Sequence, residues 1–549
     1  MTDKQRIFVY DTTLRDGSQG EGISFSVEDK LNLARKLDEL GVDYIEGGWP
    51  GSNPKDEEFF TRALTQLHLK NAKLSAFGST RKANTLPEND GNLRLLMQSK
   101  TPVVTLFGKT WDLHVTNALN TTLEENLAMV GDSVNFFKQA GRELIYDAEH
   151  FFDGFKANPE YALACLAEAA KAGADWIVLC DTNGGLLTFE VPDIMARVRA
   201  VTDQFNVKLG VHVHNDGDLA CANTLFAVRE GARQVQGTIN GYGERCGNVN
   251  LVSVLANLEL KMGYQCLPEG HLSRLSEMSH LVAEVANLPH NNQMPFVGRS
   301  AFAHKGGVHV SAVMKDRRTY EHIVPELVGN RQRVLVSELG GQSNVLHKAY
   351  QLGLEMRKGD AEVREVIDQI KQLENQGFSF ENAEASFELI MWRTQADYKA
   401  PFALRDMLVL AERRGGPGGQ LLSEATVKLD VQGEVSHTAA EGNGPVDALD
   451  HALRKALLPV YPQLGNVRLQ DYKVRVLNDE GTGSRIRVTI SSSDGVDTWH
   501  TVGSSTNVIE ASYLALADSL EYALVSGRYK QPAETTTQAE PTPAQEIVV

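Results

Sequence analysis

Two histidines one residue apart, His212 and His214 in LGVHVHND, carry the clearest chemical signal in the chain. In an extended strand, alternation sends Val211 and Val213 to one side and both imidazoles to the other. Two rings roughly 6–7 Å apart on one strand face can converge on a single ion. Such a pair alone is more often structural than metal-binding, so its neighbours decide. Asp16 and Glu149 close other apolar runs and could join it. No CxxC pair accompanies them, so a catalytic site with open positions is expected over a closed zinc site. Carboxylate and imidazole donors suit Mg²⁺ or Mn²⁺, and Zn²⁺ fits as well. DTTLRDGSQ at 11–19 adds a second signal. Arg15 could hold a carboxylate or an oxyanion and Asp16 a metal. The plainer alternative is a surface Arg–Asp pair on a turn ending at Gly17.

These residues need a scaffold, and the first half of the chain supplies a rhythm. Apolar runs recur as IFVYDTT, YIEGGWP, KLSAFG, PVVTLFG, ELIYDAE, WIVLCDT, KLGVHVH and QVQGTI, at about the spacing of one β-α unit. Helix-like stretches lie between them. SVEDKLNLARKLDELG has Ser26 placed as an N-cap and Gly41 as its stop, and PEYALACLAEAAKAG enters on Pro159 and ends at Gly173. Eight such units are the arithmetic of an α/β (β/α)₈ TIM barrel; an open doubly-wound sheet is the alternative. The polar residues favour the barrel. Asp11, Asp16, Glu46, Asp147, Glu149, Asp181, Thr182, His212 and His214 gather at the ends of the runs, the face where barrel sites are built.

Composition narrows the function. Lys+Arg 54 against Asp+Glu 71 leaves a net charge of −17, the wrong footprint for a nucleic-acid or anionic-membrane binder. No apolar run is long enough for a transmembrane helix, and the start lacks a signal-peptide core. Five cysteines without a CxxC pair suit a reduced, cytoplasmic protein.

After about Ala256 the β-α rhythm stops. The expected division is a catalytic barrel over 1–275, helical connector subdomains over 276–395, a regulatory and dimerisation domain over 396–527 and a disordered tail over 528–549. The connector holds His304, His309 and Tyr320, either functional groups or polar residues on wet helix faces. RRGGPGGQ at 413–420 reads as a flexible break. Beyond it His437-Thr438, Ala448 and Ala452-Leu453 return 63 residues later as His500-Thr501, Ala511 and Ala515-Leu516. Two β-β-α copies are expected, packed on each other or on a partner's copies.

DTTLRDGSQ at 11–19, HVHNDGDLACANTL at 212–225 and GYGERCGNVNL at 241–251 resemble the alpha-isopropylmalate, homocitrate and citramalate synthase family. EGGWPGSNPKD, TLFGKTWDLHV, YDAEHFFDG and LCDTNGG resemble its citramalate-forming branch more closely. The resemblance implies metal ligands Asp16, His212, His214 and Asn248, with Arg15 polarising a 2-oxo acid and Thr182 contacting its carboxylate. It implies Glu149 as catalytic carboxylate, and His309 and Tyr320 completing the site, in a neighbouring subunit of a homodimer. Some relatives carry a tyrosine two positions before that glutamate. Here it is Asp147, so the wall against the substrate differs in polarity. Isopropylmalate synthases place a catalytic tyrosine just after the VG at 328–329, where this chain reads NRQRV. The implied activity is condensation of acetyl-CoA, the co-substrate, with pyruvate and water to (R)-citramalate and CoA, with isoleucine as effector. The alternatives are 2-isopropylmalate synthesis and, further off, an acyl-CoA lyase or oxo-acid aldolase on the same barrel. A non-catalytic amino-acid sensor would need a broken site, and Arg15, Asp16, Glu149, His212, His214 and Asn248 are all present.

Overall fold

The computed structural model describes residues 4–335, 341–413, 421–478 and 481–529. The chain forms two compact units: residues 1–302 with 321–332, and residues 303–320 with 333–549.

The first unit is the expected barrel. Its strands are β1 (Phe8–Asp11), β2 (Tyr44–Gly48), β3 (Lys73–Ser79), β4 (Val103–Lys109), β5 (Glu143–Glu149), β6 (Trp176–Asp181), β7 (Lys208–Val213) and β8 (Gln234–Gly237). They are parallel and close in sequence order, β8 returning to pair with β1. The open-sheet alternative falls on that closure. Local chemistry sets the surrounding helices as the sequence suggests. Ser26 accepts from the Asp29 N–H while the Asp29 carboxylate bonds back to the Ser26 N–H, a capping box that starts helix Val27–Leu40. Gly41 stops it at φ 98, a left-handed position where a side chain is strained. Pro159 opens the helix to Lys171, where Asn158 caps the Tyr161 N–H.

The barrel interior is stratified. Its lower layer is aromatic and aliphatic: Tyr10, Tyr44, Val103, Ile145, Trp176 and Val178 pack as one buried cluster. Above them, toward the strand C-termini, Glu46, Asp147, His212 and Gln236 are buried. The floor therefore excludes water while the mouth holds charge.

The second unit carries two three-stranded antiparallel sheets, after the short pair β9 (Ala303–His304) and β10 (Arg333–Val334). Helices Gln342–Gln351, Ala361–Asn375 and Glu384–Arg393 precede the sheets. The first copy is β11 (Phe402–Arg413), β12 (Leu421–Val431), β13 (Glu434–Gly442) and helix Pro445–Leu457. The second is β14 (Arg468–Val476), β15 (Ile486–Ser493), β16 (Thr498–Ser505) and helix Val508–Tyr529. Each copy thus has one strand more than the β-β-α pattern. In MLVLA at 407–411 the apolar residues run consecutively, because Leu408 and Leu410 stay exposed on the outer face, and alternation is masked. The repeat itself is real down to its bonds. Val427 pairs with Thr438 as Ile490 pairs with Thr501. Thr438 Oγ1 donates to the Ala452 carbonyl and Thr501 Oγ1 to the Ala515 carbonyl, both at 2.8 Å. The glycine-rich break at 414–420 and the tail from 530 lie outside the described residues. The last described helix runs two residues past 527. Among the described residues no helix is long and apolar enough to cross a membrane.

Candidate active site

Strand ends build the site. β7 presents His212, and His214 follows it; the Asp16 carboxylate comes from the turn after β1. Asp16 Oδ2 lies 3.2 Å from His212 Nε2 and 3.9 Å from His214 Nε2. One ligand atom from each of the three falls within 4.8 Å of the others, and all three residues are buried. Burial favours neutral Asp16, but the Arg15 guanidinium and the two imidazoles override it and hold the carboxyl well below its usual range. Burial and the neighbouring His212 push His214 down to about 4, so its ring is neutral near pH 7 and its lone pair is available.

Asn248 joins from GYGERCGN. Gly247 sits at φ 88, where a Cβ would collide with the Gly241 carbonyl. The turn it permits brings Asn248 into a β-bridge with His214. The Asn248 Nδ2 donates to the Tyr242 carbonyl at 3.1 Å, leaving Oδ1 buried without a protein partner. An orphaned buried acceptor on the residue bridged to His214 fits a divalent cation, since a lone buried oxygen otherwise costs about 1–3 kcal/mol.

Arg15 is fixed from beneath. Its Nε donates to Glu46 at 2.6 Å, and Glu46 also accepts from Tyr10 Oη at 2.6 Å and from Thr12. The guanidinium lies 3.7 Å from the centroid of Phe77. Phe77 stacks on Phe107 at 5.2 Å, with Trp49 edge-on to both. These groups surround one cavity of about 230 Å³ with Asp147, Glu149, Cys180, Thr182, Glu244 and Arg245. Thr182 Oγ1 accepts from the His150 N–H at 2.9 Å. Glu149 is ion-paired with Lys109, its register partner on β4.

Arg15, Asp16, Asp147, Glu149, Thr182, His212 and His214 therefore line one opening, with Asn248 bridged to His214. His309 and Tyr320 belong to the second unit, where their rings stand 4.4 Å apart. Sequence reasoning missed Lys109, Gln236 and the Trp49–Phe77–Phe107 wall as site residues. Lys109 was findable inside TLFGKTWDLHV, since it ends β4 as Glu149 ends β5.

Three family models match in succession: HMGL-like over residues 6–282, the homocitrate synthase post-HMGL domain over 296–377, and the LeuA allosteric (dimerisation) domain over 381–524. An (R)-citramalate synthase of Aquifex aeolicus is 53% identical over 95% of this chain and 98% of its own length. One of Geobacter sulfurreducens is 54% identical over 94% of this chain and 97% of its own. The chain belongs to the (R)-citramalate synthase family. A probable 2-isopropylmalate synthase of Methanopyrus kandleri stands further off, 32% identical over 90% of this chain and 93% of its own.

Proposed function

We propose that this chain is an acyltransferase that condenses acetyl-CoA with pyruvate and water, giving (R)-citramalate and CoA. The observation that carries the reading is the cavity itself, lined by Arg15, by the Asp16–His212–His214 cluster and by the aromatic wall of Trp49, Phe77 and Phe107. Asp16, His212, His214 and Asn248 would hold a divalent ion, Mg²⁺ or Mn²⁺ ahead of Zn²⁺, through two oxygen and two imidazole donors with no thiolate. When bound, the ion supplies Lewis acidity toward the keto oxygen of a 2-oxo acid.

The protein's own groups do the rest. Arg15, already committed through Nε to Glu46, presents its remaining donors to the cavity and stabilises the alkoxide that develops from the keto group, an effect worth about 3 kcal/mol for one good donor. Thr182 orients the substrate carboxylate, and Asp147 borders the substituent. Glu149 handles a proton together with His309 and Tyr320 of a partner subunit. Phe77, Phe107 and Trp49 limit the room beside the carbonyl, which favours methyl over isopropyl. A pocket of this kind discriminates by about 1–3 kcal/mol per methylene. The duplicated module from about 421 to 525 binds isoleucine between the subunits of a homodimer and inhibits. Five free cysteines suit the reducing cytoplasm.

CoA release with pyruvate, 2-oxobutyrate, 2-oxoisovalerate and 2-oxoglutarate as acceptors tests the assignment. Pyruvate should give the highest kcat/KM; a higher value for 2-oxoisovalerate would move the chain to isopropylmalate synthesis. Calorimetry with isoleucine tests the control: no binding at millimolar concentration removes it.

A further inference from the structure

Behind His212 runs a hydrogen-bonded line that none of the roles above uses. Gln236 on β8 is the register partner of His212 on β7, and Asp147 lies on β5. All three are buried. The Gln236 Nε2 donates to Asp147 Oδ1 at 3.1 Å and to Gln234 Oε1 at 3.3 Å. The Asp147 carboxylate is an acceptor, so turning the amide over would set oxygen against oxygen there. Gln236 Oε1 is thereby left facing His212 Nδ1 at 2.9 Å.

An amide oxygen at that distance requires a proton on Nδ1. A neutral imidazole with Nδ1–H carries its lone pair on Nε2, and Nε2 is the nitrogen 3.2 Å from Asp16. With the amide reversed, its NH₂ would favour the other tautomer, placing a proton where the ion must bind. Metal-bound histidines generally depend on such an outer partner. Here the partner is a neutral amide whose own orientation is set by a third residue.

We infer that Gln236 and Asp147 form a positioning pair that selects the metal-binding tautomer of His212, a role that rests on the metal-dependent reading above. Asp147 acts through Gln236 and not by touching the ion. The carboxylate that departs from the tyrosine of some relatives thus has a task on the metal side of the cavity as well as on its wall. An asparagine at 147 would keep the acceptor that orients the amide, so Asp147→Asn should bind metal about as tightly as the parent.

Calorimetry of Mn²⁺ binding to the full, metal-stripped chain without substrate tests the inference. Gln236→Leu and Asp147→Leu should each weaken Mn²⁺ by about tenfold or more. The double variant should be no weaker than Gln236→Leu alone, because Asp147 works only through the amide. Asp147→Asn should retain binding where Asp147→Leu loses it, because the amide needs an acceptor at 147 and not a charge. If Gln236→Leu does not fold, Gln236→Met removes the same two groups at nearly constant bulk. Unchanged Mn²⁺ affinity in the folded Gln236 variants, or fully additive losses in the double variant, overturns the positioning pair while the metal reading stands. A parent protein that binds no Mn²⁺ overturns the metal reading itself, and this inference with it.

Discussion

Each unit contains an arginine set between two acids, and the two are built for different ends. In the second unit Arg393 donates through Nε and Nη2 to Glu521 at 2.9 and 2.8 Å and to Asp518 at 2.7 Å. Tyr398 adds its hydroxyl to Glu521. The group lies partly in solvent, ties helix Glu384–Arg393 to helix Val508–Tyr529, and faces none of the described cavities. In the barrel Arg15 is far less exposed, yet only Nε is closely held, by Glu46; Nη1 stays 3.6 Å from Asp16. A buried guanidinium with donors aimed at a cavity is a poor stabiliser and a prepared anion site. One arrangement closes on itself and the other waits for a ligand.

The comparison breaks first at the metal cluster. Stripping the divalent ion, or replacing His214 by Ala, should lower kcat by about a thousandfold or more, some 4 kcal/mol of transition-state stabilisation. Added Mg²⁺ or Mn²⁺ should restore the stripped parent. Thermal unfolding of His214→Ala should show a folded barrel, since a mouth-facing ring is not core packing. Full turnover in rigorously metal-free protein would end the metal reading.

Arg15→Lys is the next largest effect. Lysine keeps the charge but loses the fork that serves Glu46 and the cavity together. We expect kcat to fall by at least about tenfold, or 1.4 kcal/mol. Kinetics within a factor of two of the parent would make Arg15 a turn residue after all. Phe107→Ala should follow, opening the wall against the substituent. The ratio of kcat/KM for 2-oxobutyrate over pyruvate should rise by about tenfold, the low end for one methylene. An unchanged ratio places selection elsewhere.

Arg393→Met should do the converse. It should lower stability by about 1–3 kcal/mol, because solvent screens the half-open arginine but Glu521 and Asp518 are left largely buried without their cation, and leave kcat of the parent intact. A tenfold loss of turnover would show the clamp to be more than structural.

How far the sequence foretold this follows the same division. Barrel strands, helix caps and the facing of His212 and His214 are local: each depends on period, cap chemistry or a glycine within a few residues. The 63-residue repeat was legible because matched pairs such as Thr438 and Thr501 make the same bond to their helices. What stayed hidden depends on the barrel closing. Tyr10, Glu46 and Thr105 meet across strands, Gln236 finds Asp147 across 89 residues, and Phe77 stacks on Phe107 although its register partner is Thr105. No spacing rule in a single sequence reports such pairs.

Asp11 gives the sharpest contrast with Asp518. Asp518, though its carboxyl is raised by burial, has Arg393 against it. Asp11 is fully buried and, among the described residues, its carboxylate accepts hydrogen bonds from Thr13, N–H at 3.0 Å and Oγ1 at 2.9 Å. Burial, reinforced by Glu46, pushes its carboxyl up to about 7 despite those donors. In the unfolded chain it returns to about 3.9. Between those values the folded state holds a proton that the unfolded state has lost. The stability this confers is fully present below about pH 4 and disappears as pH rises to about 7, with a slope of at most about 1.4 kcal/mol per pH unit. Asp11→Asn keeps the shape and the acceptor and cannot titrate, so its stability relative to the parent should improve from pH 5 to pH 7.5. Chemical denaturation of both proteins in a chelating buffer, where metal linkage cancels, reads the difference directly. Parallel stability curves across that range would mean that Asp11 is ionised in the folded barrel throughout, and that its two threonine bonds hold a charge as firmly as Arg393 holds Asp518.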